Sequence, residues 1–194
     1  MRALITTFLR RFRSSEEGSI AVESILVFPI LCWAYLATFV YFDAFRVQST
    51  TLKAAYTISD ALSRETDYVT PVYLDSLYRL QEMLTSSNHN TKMTVSVVTY
   101  RASDNKYLVR WSQSRGGGTT LTNGNIYKIV PSLPVMPDGE VVIVYQNWLA
   151  YEPAFSIGLN AFVFENLVVT RPRFTAQVCY NTVNVDGTAA TATC

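Results

Sequence analysis

The sequence predicts an α+β fold. One long N-terminal helix crosses a membrane and continues as a spine, a second amphipathic helix follows, and a mainly antiparallel sheet completes the chain. Three observations predict it. Ile25 to Phe42 is a run of roughly 18 nearly uninterrupted apolar residues, the length that carries a helix across a bilayer's hydrocarbon core. Two stretches beyond it carry apolar residues at helical spacing. From Lys92 the period changes to two, and turn residues punctuate the remainder.

At 194 residues the chain has room for one such anchor plus one domain of about 130 to 150 residues, enough to bury a core. The net charge of +1 is unevenly spread. Arg2, Arg10, Arg11 and Arg13 stand against Glu16 and Glu17 at the start, which leaves 12 Lys/Arg against 13 Asp/Glu for the rest. That balance offers no electrostatic footprint for nucleic acid. The basic leader reads as a topology signal, with the N-terminus cytoplasmic and everything after Asp43 on the far side. A conventional secretory signal would place its cleavage site beyond the apolar run. Here a Gly18-Ser19 junction precedes it, so the helix would survive processing.

Taken in order, the first helix should run from about Ser19 to Arg64. Phe45, Leu52, Ala55, Tyr56 and Leu62 mark the face of its exported half. At 1.5 Å per residue that is roughly 70 Å. Pro29 removes one backbone hydrogen bond and either kinks the helix or is tolerated there, as in other membrane helices. Thr70-Pro71 is a helix start, a capping hydroxyl followed by proline at the first helical position. Tyr73, Leu77, Leu80 and Leu84 form its stripe, and Ser86-Ser87-Asn88 ends it. His89 falls in that turn and reads as a surface residue, since no second His exists.

Met93, Val95, Val97 and Thr99 alternate with their neighbours, Ser103-Asp104-Asn105 makes a turn, and Tyr107, Val109 and Trp111 alternate on the way back: a hairpin. Arg115-Gly116-Gly117-Gly118-Thr119-Thr120 lacks the lysine of a phosphate loop and reads as a flexible loop. Ile126 to Val130 is a helical turn or a short strand, and Pro131, Pro134, Pro137 and Asp138-Gly139 form a rigid connection. Glu140 to Trp148 is apolar enough for a central strand, and Tyr151 to Asn160 is a loop. Asn166 to Thr170 with Phe174, Ala176 and Val178 make one final strand or two pieces. Pro172 argues for an edge or bulge there. Aromatics are plentiful in the exported part, Tyr56, Trp111, Tyr145 and Trp148 among them; most should be core, and a surplus at the surface would suit subunit contacts.

Glu23 is the anomaly of the first helix. A carboxylate at the entry to lipid costs several kcal/mol unless it stays wet among headgroups or has a partner. Both readings stand on the local sequence alone. Its setting adds a basic leader, Gly18, a small residue, and Glu23 as the fifth residue counted from Ser19.

That setting resembles a class III, type IV pilin-like signal, which a prepilin peptidase cuts after the glycine. The block from Gly18 to Leu31 (GSIAVESILVFPIL) resembles the start of the TadE-like minor pseudopilins of the Tad (Flp) pilus. The likeness is strongest over Glu16 to Arg64. It returns at Tyr151-Glu152-Pro153 and Val169-Thr170-Arg171-Pro172-Arg173. It implies a pilin-like α+β fold divided as leader 1–18, transmembrane and spine helix 19–65, periplasmic domain 66–178 and polar tail 179–194. It also implies cleavage between Gly18 and Ser19, and a recognition role for Glu23 against a neighbouring subunit's free amine. The implied partners are the inner membrane, the prepilin peptidase, other Tad pilins or pseudopilins and the assembly platform proteins, with no cofactor. Ser19 departs from the phenylalanine that archetypal pilins N-methylate, which puts methylation in question. A permanently uncleaved, membrane-anchored periplasmic scaffold protein is the rival reading.

Three cysteines are present. Cys32 reads as a small residue within the apolar helix. In an oxidising compartment Cys179 and Cys194 either bridge, stabilising by roughly 3 kcal/mol across a loop of about 16 residues, or remain two thiols. No metal cluster, triad, nucleophile elbow or dinucleotide fingerprint occurs, and the chain is read as a non-enzyme. Arg171 and Arg173 should pair with Glu152 or Glu165, or meet a partner subunit.

Overall fold

The computed structural model describes residues 18–86, 91–183 and 191–194. The leader's arginines, Ser87-Asn88, His89 and the Asp186-Gly187 turn lie outside the described residues. α1 spans Gly18–Ser63 and runs unbroken through Pro29, and α2 spans Pro71–Thr85. β1 (Thr91–Arg101), β2 (Lys106–Arg115), β3 (Val141–Tyr151) and β4 (Phe162–Thr170) form an antiparallel sheet in the order β2-β1-β3-β4. β5 (Tyr180–Asn181) pairs with β6 (Ala192–Thr193). This is the predicted α+β fold. The chain forms two compact units: the described residues up to Ala44 with Pro153–Asn160, and Phe45–Glu152 with Ala161–Cys194.

The second unit contains the sheet. The face of α1 that it buries is Thr51, Ala54, Ala55, Ile58, Ser59, Leu62 and Ser63, a clean i, i+3, i+4, i+7 stripe. Only Ala55 and Leu62 belong to the face expected from the sequence. Phe45, Leu52 and Tyr56 point to solvent, Phe45 being 64% exposed and Tyr56 59%. The physical reason is size. Alanine, serine and threonine let the helix backbone approach closely. The hydroxyls lose nothing by burial where they bond within the helix, Thr51 Oγ1 to Val47 O at 2.8 Å and Ser63 Oγ to Asp60 O at 2.7 Å. Asn147 of β3 then donates through Nδ2 to Thr51 O at 3.3 Å.

α2 begins as predicted. Thr70 caps it by accepting from the Tyr73 N–H at 3.3 Å, and Pro71 opens the first turn. It ends at Ser86, whose left-handed backbone (φ 52°) turns its N–H onto Met83 O. Leu74 and Leu77 face the core beside Ile58, Leu62, Met93, Val95 and Tyr145. Each such side chain contributes about 1.5–3 kcal/mol by leaving water. Buried Gln81 is fully engaged: it accepts from the Tyr145 hydroxyl and donates to Thr91 Oγ1 and Lys92 O. Burial holds the Tyr145 phenol well above its usual pKa.

The opposite face of the sheet has its own cluster. Val98, Val142 and Val144 pack under Leu121, Ile126, Ile129, Leu133 and Met136. The connection that supplies this cover turns twice in 3-10 geometry, at Ile126–Lys128 and Val130–Ser132. Of the glycines before it, Gly116 (φ +66°) and Gly117 (φ +78°) take left-handed backbone, and Gly116 and Gly118 also leave no room for a side chain. A side chain at Gly118 would lie 2.6 Å from Met93 O, and one at Gly116 2.4 Å from Thr91 O, so the loop is packed against β1. The flexible-loop reading is corrected accordingly.

Two strand boundaries also differ. β3 continues to Tyr151 and β4 begins at Phe162, because Tyr151 packs across the pair on Phe162 and Phe164 at 5.5 and 5.7 Å, and these two rings meet along β4 at 4.7 Å. Phe174, Ala176 and Val178 form no strand. The chain crosses to α2's entrance instead: Val69 donates to Cys179 O and accepts from the Asn181 N–H, both at 2.9 Å. Trp111 Nε1 donates to Val178 O at 2.7 Å. Arg171 pairs with Glu140, and Arg173 with Asp60 at 3.0 Å, rather than with Glu152 or Glu165.

Two measurements on the full chain in detergent check this account. Gly118→Ala should cost about 2 kcal/mol or more in stability, while Gly124→Ala, which meets only Thr122 Oγ1 at 3.8 Å, should change it by less than about 0.5 kcal/mol. Burial, then the charge and hydrogen bond of Glu65, push the Tyr73 phenol from 10.0 up to about 12. Its neutral form therefore stabilises fully below pH 10, and that contribution is lost as pH rises through about 12. Stability should fall across this window, and fall less in Tyr73→Phe.

Candidate membrane and assembly site

The first unit contains the residues that the sequence singles out. The leucine, isoleucine, valine and aromatic residues of the run fold as helix, which pairs the backbone groups within the segment itself. From Ile20 to Leu31 every side chain of α1 is exposed, on all sides of the helix. Ile25 is 71% exposed, Phe28 67% and Tyr35 73%, and only 6% of the helix's most apolar stretch is buried within the protein. A core helix of a soluble domain would be largely covered. This helix is long and apolar enough to cross a membrane.

Gly18 and Ser19 are the first two residues of α1. Glu23 follows one turn later, exposed, in file with Ile20, Val27 and Ile30 at three- and four-residue spacing. Among the described residues its carboxylate has no hydrogen-bond or ion-pair partner. A carboxylate therefore stands in an apolar surface that no other described residue covers. Cys32 is a free, half-buried thiol further along.

The run is covered only near its end. Val40 and Ala44 are buried, and Phe39 meets Phe155 ring edge to face at 6.4 Å. Phe155 belongs to Pro153–Asn160, part of the loop that the sequence predicts over Tyr151 to Asn160. The available signal was charge: none occurs between Glu152 and Glu165.

In the second unit, Cys179 and Cys194 are joined by a disulfide with Cα atoms 4.4 Å apart. Lys92, Trp148 and Glu165 lie in one cross-strand row on β1, β3 and β4. With Gly117–Thr119 they line an open recess of about 370 Å³. Among the described residues no three His, Cys, Asp or Glu side chains are grouped to hold a metal ion.

No protein-family model, curated protein or solved structure matches this chain. The chemistry of α1 makes its own prediction. Expressed in a bacterial host, the protein should stay with the membrane pellet through alkaline carbonate extraction. Release into the supernatant would mean that something other than lipid covers the run.

Proposed function

We propose that the protein is a minor pilin-like subunit of a Tad (Flp)-type pilus, inserted in the inner membrane and processed after Gly18. The observation that supports it is Glu23, a carboxylate set in an uncovered apolar helix surface one turn behind the Gly18-Ser19 junction. In lipid an isolated carboxylate is penalised, whereas an ion pair there is far stronger than in water. Cleavage at the junction creates such a partner, the free amine of Ser19 on a neighbouring subunit. One reaction thus supplies the charge that the helix needs.

In this reading Ile25 to Phe42 holds the subunit in the inner membrane with its N-terminus cytoplasmic. The sheet-bearing unit is periplasmic before assembly. Glu23 sets the register of one subunit against the next when the helix leaves the bilayer. The prepilin peptidase, other Tad pilins or pseudopilins and the assembly platform are the partners. The work done is assembly and not catalysis. A second unit of this size suits an initiating, tip or minor position better than the bulk of a filament.

The mature N-terminus tests it, read by intact mass of protein from membranes of cells with and without prepilin peptidase. A start at Ser19 that requires the peptidase is the expected result. A Met1 start in peptidase-positive cells would leave a fixed periplasmic scaffold anchor instead. Glu23→Ala should insert and be cleaved normally yet stop assembly; pili of normal number with alanine there would sink the register role.

A further inference from the structure

We infer that Pro153–Asn160 is a second membrane contact, an apolar loop lying in the lipid interface beside the last turn of the run Ile25 to Phe42. The inference rests on the reading of that run as a membrane span. It concerns a segment with no part in cleavage or in the Glu23 pair.

Depth comes from two contacts within the first unit. The Phe155 ring meets Phe39, which precedes the end of the run by three residues, about 4.5 Å along the helix. Tyr41 places its hydroxyl 4.0 Å from where a side chain on Gly158 would begin. Tyrosines at the ends of spans sit at headgroup level. The loop is therefore level with the run's final turn and not beyond it.

Chemistry agrees with depth. From Pro153 to Phe164 no residue is charged. Phe155 is 45% exposed although it packs on Phe39, and Phe39 is itself 50% exposed. The pair shields only part of itself, and water is a poor neighbour for what remains. Ala154 is exposed as well, with Ile157 and Leu159 half-buried. The backbone turns tightly: the Ile157 N–H donates to Phe155 O at 3.0 Å, and Gly158 takes a left-handed conformation (φ +77°). A short turn leaves other N–H and C=O groups unpaired, which suits the hydrated interface and excludes the hydrocarbon centre.

The test uses the full chain carrying Cys32→Ser in phosphatidylcholine/phosphatidylglycerol vesicles, with single cysteines introduced by Ser156→Cys, Ser132→Cys or Val27→Cys. A membrane-impermeant maleimide reads their exposure, the Cys179–Cys194 disulfide being inert to it. Ser132 follows the run as the loop does, so it reports the outward-facing fraction. Ser156 is exposed in the structure, so packing within the protein gives no cause for slow reaction. Ser156→Cys should react at least about tenfold more slowly than Ser132→Cys, with Val27→Cys protected. A spin label at position 156 should be more accessible to oxygen than to a water-soluble nickel chelate. Fast reaction at 156 with 27 protected would overturn the loop's membrane contact alone. Fast reaction at 27 as well would overturn the span and the loop together. Slow reaction at 156 with the chelate preferred over oxygen would also overturn the proposal, since protein would then be the shield.

Discussion

One continuous helix carries two surfaces that no single solvent satisfies, and the rest of the structure answers to that constraint. Up to about Tyr35 its apolar side chains are uncovered on every side, a surface far larger than a soluble monomer exposes. From Thr51 to Ser63 the buried side is alanine, serine, threonine and two aliphatic residues, shaped to lie close on a sheet. The first surface is stable where the medium is apolar. The second is stable only against its own β-strands.

The sheet is built to receive that helix on one face and a proline-rich connection on the other. Ile143 and Tyr145 of β3 face α1 and α2, and Val142 and Val144, which alternate with them, face the connection. A strand apolar on both sides has to be central, and β3 is. Between the layers the Ser59 hydroxyl is unpaired, but the larger polar groups are engaged: Gln81 with Tyr145 and Thr91, Asn147 with Thr51 and Asn166. Such pairing offsets their desolvation and fixes how the layers register. The outer face stays open beyond Gln146, where Lys92, Trp148 and Glu165 lie side by side.

The elements legible in the sequence were those with a strong local signal. The apolar run, the Thr70-Pro71 cap, the hairpin around Asn105 and the central β3 each declare themselves within one continuous stretch of at most about 20 residues. What was not legible depends on contacts far along the chain. The helix face was misread because large side chains were counted as core, whereas tight helix–sheet packing selects small ones, Ala54 and Ser59 in place of Phe45 and Tyr56. Gly116 and Gly118 looked like looseness because nothing local says that β1 lies within 3 Å of a side chain there. The partners of Arg171 and Arg173 depend on where Glu140 and Asp60 are carried by other elements. At the site, position and charge could be read off, but the packing of Phe155 on Phe39 joins residues more than a hundred apart.

The strand order also sets a timetable. β1 meets β2 across a short turn, but its other edge waits for β3, whose partners lie 42 residues away at Thr99–Val141 and 58 at Thr91–Leu149. Pairings of that separation close slowly, and an unfilled edge next to a hydrophobic face invites aggregation. In synthesis from the N-terminus, α1, α2 and the first hairpin emerge before the strand that completes them. Cys194, which ties the last described segment back beside Val69, emerges after all of them. The bridge therefore forms only on a chain whose sheet strands have all been made, and it fastens a sheet that is already complete.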